Sequence, residues 1–132
     1  MTIRWHWWTI LIFNLISLIY SLQSLDANSV RVDSDGSVKV KVNGVEGRIC
    51  ATDWDDRDAE VLCQGLGWSN SAAYNSSGDS NIPTLATGFD CQGSEARLED
   101  CSYSVVGDNG STCRPYSSTY NSAFAYCYNQ SS

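Results

Sequence analysis

A small α+β domain stapled by disulfides is the fold class predicted by three features of this sequence. Valines alternate with other residues between Val30 and Val42, the pattern of half-buried strands. Asp53–Trp68 (DWDDRDAEVLCQGLGW) carries the start, the apolar face and the stop of a short helix. Six cysteines (Cys50, Cys63, Cys91, Cys101, Cys113 and Cys127) follow an apolar N-terminal segment, and an even count in a small exported chain reads as a disulfide framework. A zinc site is the rival reading. It is disfavoured because there is no CxxC pair and the single histidine, His6, lies in the N-terminal segment.

The 132 residues suffice for one domain and a leader. Arg4 followed by the apolar run Thr9–Leu22 reads as a signal peptide over residues 1–24, with an uncleaved signal anchor over residues 5–25 as the alternative. Residues 25–29 then read as a short linker, 30–128 as the domain and 129–132 as a C-terminal tail. Either fate of the leader places the domain outside the cytoplasm, secreted or membrane-anchored.

Val30–Val32 and Val38–Val42 predict a hairpin around the turn Asp33–Gly36, with valines buried and lysines wet. Asn43-Gly44 is a strong hairpin turn signal, and Val45–Cys50 is the return strand that carries Cys50 inward. The helix comes next, over Asp55–Leu66. Asp55 is its N-cap, Asp58 stands near the free amides of the first turn, and Gly65 and Gly67 end it. Ala59, Leu62, Cys63 and Leu66 share one face, and Trp54 and Trp68 bracket the element and are expected to pack at its ends. Ser69–Thr84 reads as an exposed polar loop and Leu85–Cys91 as a short strand with Phe89 inward. Ser94–Cys101 reads as a second short helix capped by Ser94, Ser102–Ser122 as a long loop, and Ala123–Tyr128 as the closing strand.

Charge and composition exclude whole classes of function. The net charge is −7; residues 1–24 hold Arg4 and no acidic residue, so beyond them 7 basic residues face 15 acidic ones, or −8. Nucleic acid is therefore not an expected partner, because phosphate binding needs clustered Lys and Arg. Beyond the leader there is no histidine to serve as a general base. Oxidised cysteines offer no thiolate, and adjacent carboxylates such as Asp55/Asp56 do not face each other across a cleft. No catalytic residue is assigned, and the protein is expected not to be an enzyme.

The residues Val30-Arg31-Val32, Glu46-Gly47-Arg48-Ile49-Cys50, Trp54-Asp55, Asp58-Ala59-Glu60-Val61-Leu62-Cys63, Leu66-Gly67, Cys91-Gln92-Gly93-Ser94-Glu95, Leu98, Cys101 and Cys127 together resemble a scavenger receptor cysteine-rich (SRCR) domain. The similarity covers residues 30–127, in the six-cysteine, group A-like form that lacks one of the usual four bridges. By themselves the cysteine positions leave every pairing open; the resemblance implies Cys50–Cys113, Cys63–Cys127 and Cys91–Cys101. The fold then expected is a curved antiparallel sheet cradling the main helix, with the second short helix beside it.

The resemblance also implies a cation held by an acidic pair after the first cysteine and an acidic residue before the last. Here those places read Ala51-Thr52 and Asn121, and an acidic pair expected before the CxGxE stretch reads Thr87-Gly88. No metal or other cofactor is therefore expected, although Ca²⁺ has weak candidates in Asp53 and Asp56. Acidic residues at a helix start are explained by capping and the helix dipole without any ion. Asp53, Asp56 and Arg57, with Tyr116 and Tyr120 on the late loop, are the candidate contact residues for a ligand. Asn75, Asn109 and Asn129 begin N-x-S sequons; Asn75 and Asn109 stand in turn-like contexts and are the favoured glycosylation acceptors.

The function these readings predict is recognition of an extracellular protein, glycan or microbial surface, with a part in innate defence implied by family analogy alone. A glycosylated structural subunit of an extracellular or membrane-surface assembly is the alternative. A membrane contact is expected only if residues 5–25 are kept as an anchor.

Overall fold

The computed structural model describes residues 23–79, 81–106 and 122–130. Residues 1–22 of the expected leader, Cys113, Asn109, Tyr116 and Tyr120 lie outside these residues. Among the described residues no helix is long and apolar enough to cross a membrane.

Strands β1 (Arg31–Val32), β2 (Val38–Val42) and β3 (Val45–Ile49) form the expected antiparallel run. The Asn43-Gly44 turn joining β2 to β3 has positive φ at both residues (51° and 80°), the conformation whose twist matches a two-residue hairpin. Val38 and Val40 are fully buried, as alternation requires. The lysine face is only half wet. Lys41 is exposed, but Lys39 is 7% exposed, because its ammonium is drawn down to Asp33 Oδ2 (3.1 Å) and Ser37 Oγ (2.7 Å).

Helix α1 spans Asp56–Gly65, one residue shorter at each end than expected, with Asp55 and Leu66 as its caps. It buries Asp58, Ala59, Val61, Leu62 and Cys63. Leu66 is 42% exposed, a correction to the expected face: it still follows the helical turn, with its amide on the Leu62 carbonyl (3.2 Å), but its side chain lines an open cavity beside Leu62 and Val30. Gly65 stays helical, and the left-handed residue is Gly67, with φ 94°. Trp54 packs on the core, edge-on to Phe89, and its indole N–H donates to the Phe124 carbonyl at 3.0 Å. Trp68 does not pack in the same way and stays 43% exposed.

Three other expectations are corrected. Within the expected loop Ser69–Thr84, Asn70–Ser76 is strand β4, paired along its whole length with the closing strand β7 (Ser122–Tyr128). The second helix shrinks to a single 3-10 turn at Leu98–Asp100, and Ser94 does not cap it: its N-cap is Arg97, with no side-chain cap bond. Glu95 instead folds its carboxylate back onto the amides of Gln92 and Gly93 (2.9–3.0 Å). Residues 25–29 are not a linker, since Leu25 is 5% exposed in the core and the Asp26 carboxylate accepts from the amides of Asn43 and Gly44 at 2.8 and 2.7 Å.

Strand β5 (Thr84–Asp90) buries Phe89 as expected, and β6 (Ser102–Val105) opens the segment read as loop. The main sheet runs β1-β2-β3-β5-β6, with β4 and β7 as a separate pair. The class is α+β, but the main sheet is not wholly antiparallel. The chain returns from β3 through α1 and β4, so β5 lies parallel to β3. Bridges at Ser37–Phe124 and Cys50–Ser122 join the two sheets, and α1 packs across β4 and β7.

Gly47 shows why the EGR stretch tolerates no side chain there. A Cβ would collide with the Leu85 side chain and the Pro83 carbonyl. The neighbouring Arg48 donates from Nε to the Ile82 carbonyl (3.0 Å) and from a terminal nitrogen to Ser122 Oγ (2.6 Å), tying the β4–β5 connection to β7.

Candidate functional site

The start of α1 is the most organised polar region. Asp55 Oδ1 accepts from the amides of Arg57 (3.0 Å) and Asp58 (3.1 Å), and Asp58 Oδ2 accepts from the Asp55 amide (3.0 Å). This reciprocal capping box satisfies the donors that a helix start leaves open. The other oxygen of Asp58 accepts from the Cys91 amide at 3.0 Å, so one fully buried carboxylate joins the helix to the end of β5. Burial pushes the Asp58 carboxyl up to about 6, and the neighbouring Asp55 charge adds to that, against the pull of the two amide bonds.

Beside this start lies an open groove of about 740 Å³, lined among others by Asp56, Arg57, Glu60, Asn70 and Asp90. Asp56 and Arg57 therefore share one surface. Asp53 does not line it; it sits exposed in the turn before the helix with φ 65°. The two weak cation candidates are thus not brought together on this groove. Asp56 Oδ1 is also engaged, accepting from the Ala73 amide at 2.9 Å, which fastens β4 to the helix start. Among the described residues the one grouping with metal-ligand proximity is Cys91, Glu95 and Cys101, and its two sulfurs are bonded to each other.

Cys63–Cys127 fastens α1 to β7 across a Cα–Cα distance of 5.4 Å, and Cys91–Cys101 closes the segment between β5 and β6 across 4.9 Å. Cys50 is also disulfide-bonded, and no described cysteine is free. Its expected partner, Cys113, is among the residues not described.

Asn75 is exposed but stands in β4 opposite Ala123, not in a turn. Asn129 is exposed too, and its Oδ1 accepts from the Ser69 amide and hydroxyl at 3.1 and 3.3 Å.

Sequence reasoning missed a second groove, of about 290 Å³, walled by Trp68, Tyr74 and Tyr126 with Asp33 and Asp35 at its edge. The signal was present in the alternation Phe124, Tyr126, Tyr128, but it carries meaning only once β4 is known to be its partner strand.

An α+β domain stapled by disulfides, with its described cysteines closed and its buried acid committed to backbone amides, is of the kind that forms in oxidising compartments. The pattern that defines the scavenger receptor cysteine-rich domain matches residues 28–127, and the chain belongs to that family. It is 44% identical over 62 residues to a scavenger receptor cysteine-rich domain superfamily protein of Patiria pectinifera, a match covering 47% of this chain and 6% of that protein. To the macrophage receptor MARCO of Mus musculus it is 36% identical over 74 residues, covering 56% of this chain and 14% of the receptor. The chain thus spans a small part of these relatives. Among solved structures, the dimeric form of the SRCR domain of mouse MARCO superposes with a TM-score of 0.57 at 32% identity, covering 70% of this chain and 84% of that one. The third SRCR domain of murine neurotrypsin gives 0.56 at 29% identity, covering 77% and 97%.

Proposed function

We propose that this protein is a secreted recognition module that binds an extracellular protein or glycan through surface contact, making and breaking no bond. The observation that carries the reading is where the reactive groups are spent. The described cysteines are all bonded, and Asp58 and Glu95 are tied to backbone amides. What remains on the surface is open groove, suited to contact and not to enclosing a reaction.

The disulfide-intact domain should bind a subset of a panel of immobilised extracellular proteins and glycans, saturably and as a monomer. Co-purification with fixed stoichiometric partners would favour the structural-subunit alternative. Binding to nothing on the panel would remove the reading. No resident cation is needed for it, so a calorimetric Ca²⁺ titration should give a dissociation constant weaker than about 1 mM, the weak end for extracellular sites. A tighter value would reinstate Asp53 or Asp56 as a ligand.

A further inference from the structure

The two-stranded sheet has one face spoken for, and the other is open only at the C-terminal end of β7, beyond the buried Phe124. Cys127 points at α1 through its disulfide, so strand alternation turns Tyr126 and Tyr128 the other way. Their rings stand 5.1 Å apart, and Tyr126, 60% exposed, is the most exposed large apolar side chain among the described residues. Trp68 and Tyr74 wall the same groove as Tyr126. The Tyr74 hydroxyl donates to the Asp35 carbonyl at 3.1 Å, which holds the β1–β2 turn against the edge of this floor.

That turn supplies the charge. Asp33 is already neutralised, by Arg31 and by Lys39. Asp35 is only partly offset: its Oδ1 accepts from the Ser37 amide (2.9 Å) and hydroxyl (2.7 Å), with the Lys39 ammonium beyond that hydroxyl, while among the described residues Oδ2 takes part in no hydrogen bond or ion pair. Those two bonds from Ser37 hold its carboxyl below the usual carboxylate range, so it is anionic at neutral pH. Aromatic faces carry negative potential and attract a cation with an apolar stem. A fixed carboxylate at their edge selects the same ligand, and the net charge of −7 favours it from a distance. An anionic ligand would be repelled, and a neutral sugar would use the rings but gain nothing from the charge.

We propose that this face binds a basic segment of an extracellular partner, with an arginine or lysine side chain laid on Trp68 and Tyr126 and its charge against Asp35. The proposal rests on the recognition reading and deepens it by naming the partner's chemistry.

The probe is an acetylated, amidated peptide of alternating arginine and serine, titrated by NMR into the disulfide-intact domain. Its citrulline counterpart and a neutral chito-oligosaccharide serve as comparisons. The arginine peptide should shift the Trp68 indole and Tyr126 signals, and the citrulline peptide should bind at least about tenfold more weakly. Tyr126→Ala and Asp35→Asn should each weaken arginine-peptide binding about five- to tenfold with the backbone amide NMR shifts away from this face unchanged. Equal binding of the citrulline peptide, oligosaccharide binding at the same rings, dimerisation through this face, or unchanged affinity in both variants would each overturn the assignment. If Tyr126→Ala leaves capture on the protein and glycan panel intact, this site fails while the recognition reading stands. If the wild-type domain captures nothing there, the recognition reading itself fails.

Discussion

Replacing Asp58 by alanine should destabilise the domain by about 3 kcal/mol at neutral pH, lowering the melting temperature by more than about 10 °C. The substitution leaves the buried Cys91 amide without an acceptor, which costs about 1–3 kcal/mol, and takes the capping-box acceptor from the part-buried Asp55 amide at the helix start, which adds about 1 kcal/mol. Relief from burying a charge offsets part of that. The pH dependence identifies the cause. The folded-state pKa of Asp58 is raised from 3.8 to about 6, so the folded protein holds this proton more tightly than the unfolded chain. Its contribution to stability is fully present below pH 3.8 and is lost as pH rises through about 6. The stability gap between wild type and Asp58→Ala should therefore widen by about 1–3 kcal/mol as pH falls from 7 towards 4. Urea titrations of both proteins at several pH values measure it. A gap below about 1 kcal/mol at neutral pH, or one that narrows on acidification, would show that Asp58 is not the joint described.

Removing the Cys63–Cys127 bridge as a Cys→Ala pair should cost about 4 kcal/mol and leave the domain largely unfolded at 37 °C. The bond closes a sequence separation of 64, and it is the covalent tie between α1 and the β4–β7 pair. Removing Cys91–Cys101, with a separation of 10, should cost about 3 kcal/mol by the same chain-entropy argument. It links neighbouring parts of one sheet, so secondary structure should survive. A small domain has little other stability to draw on, which is why the longer bridge decides whether it folds. Denaturant unfolding of the two variants beside the wild type gives the comparison. Equal losses, or a smaller loss for the long bridge, would contradict the argument.

Sequence reasoning failed where a segment's state depends on its partner. Asn70–Ser76 (NSAAYNS) is polar and small, with no apolar period of its own. It is a strand because Ala123–Tyr128 lies beside it and Asp56 holds the amide of Ala73. Ser94–Cys101 failed in the opposite sense. It has helical spacing and a good capping residue, yet the short disulfide and the grip of Glu95 on the Gln92 and Gly93 amides leave room for only one turn. Lys39 was placed in water by alternation, but Asp33 and Ser37 bring its charge under cover.

By itself the sequence determined the local matters: the valine hairpin, the Asn43-Gly44 turn, the capping of α1 by Asp55, and the even set of cysteines. These follow from backbone and side-chain preferences acting over a few neighbouring residues. Only the tertiary structure decided what needs distant residues to meet. It buried Asp58 between the helix and Cys91, paired β4 with β7, laid β5 parallel to β3, and gathered Trp68, Tyr126 and Asp35 around one groove. Such juxtapositions depend on loop closure and burial across the whole chain, and no short window of sequence contains them.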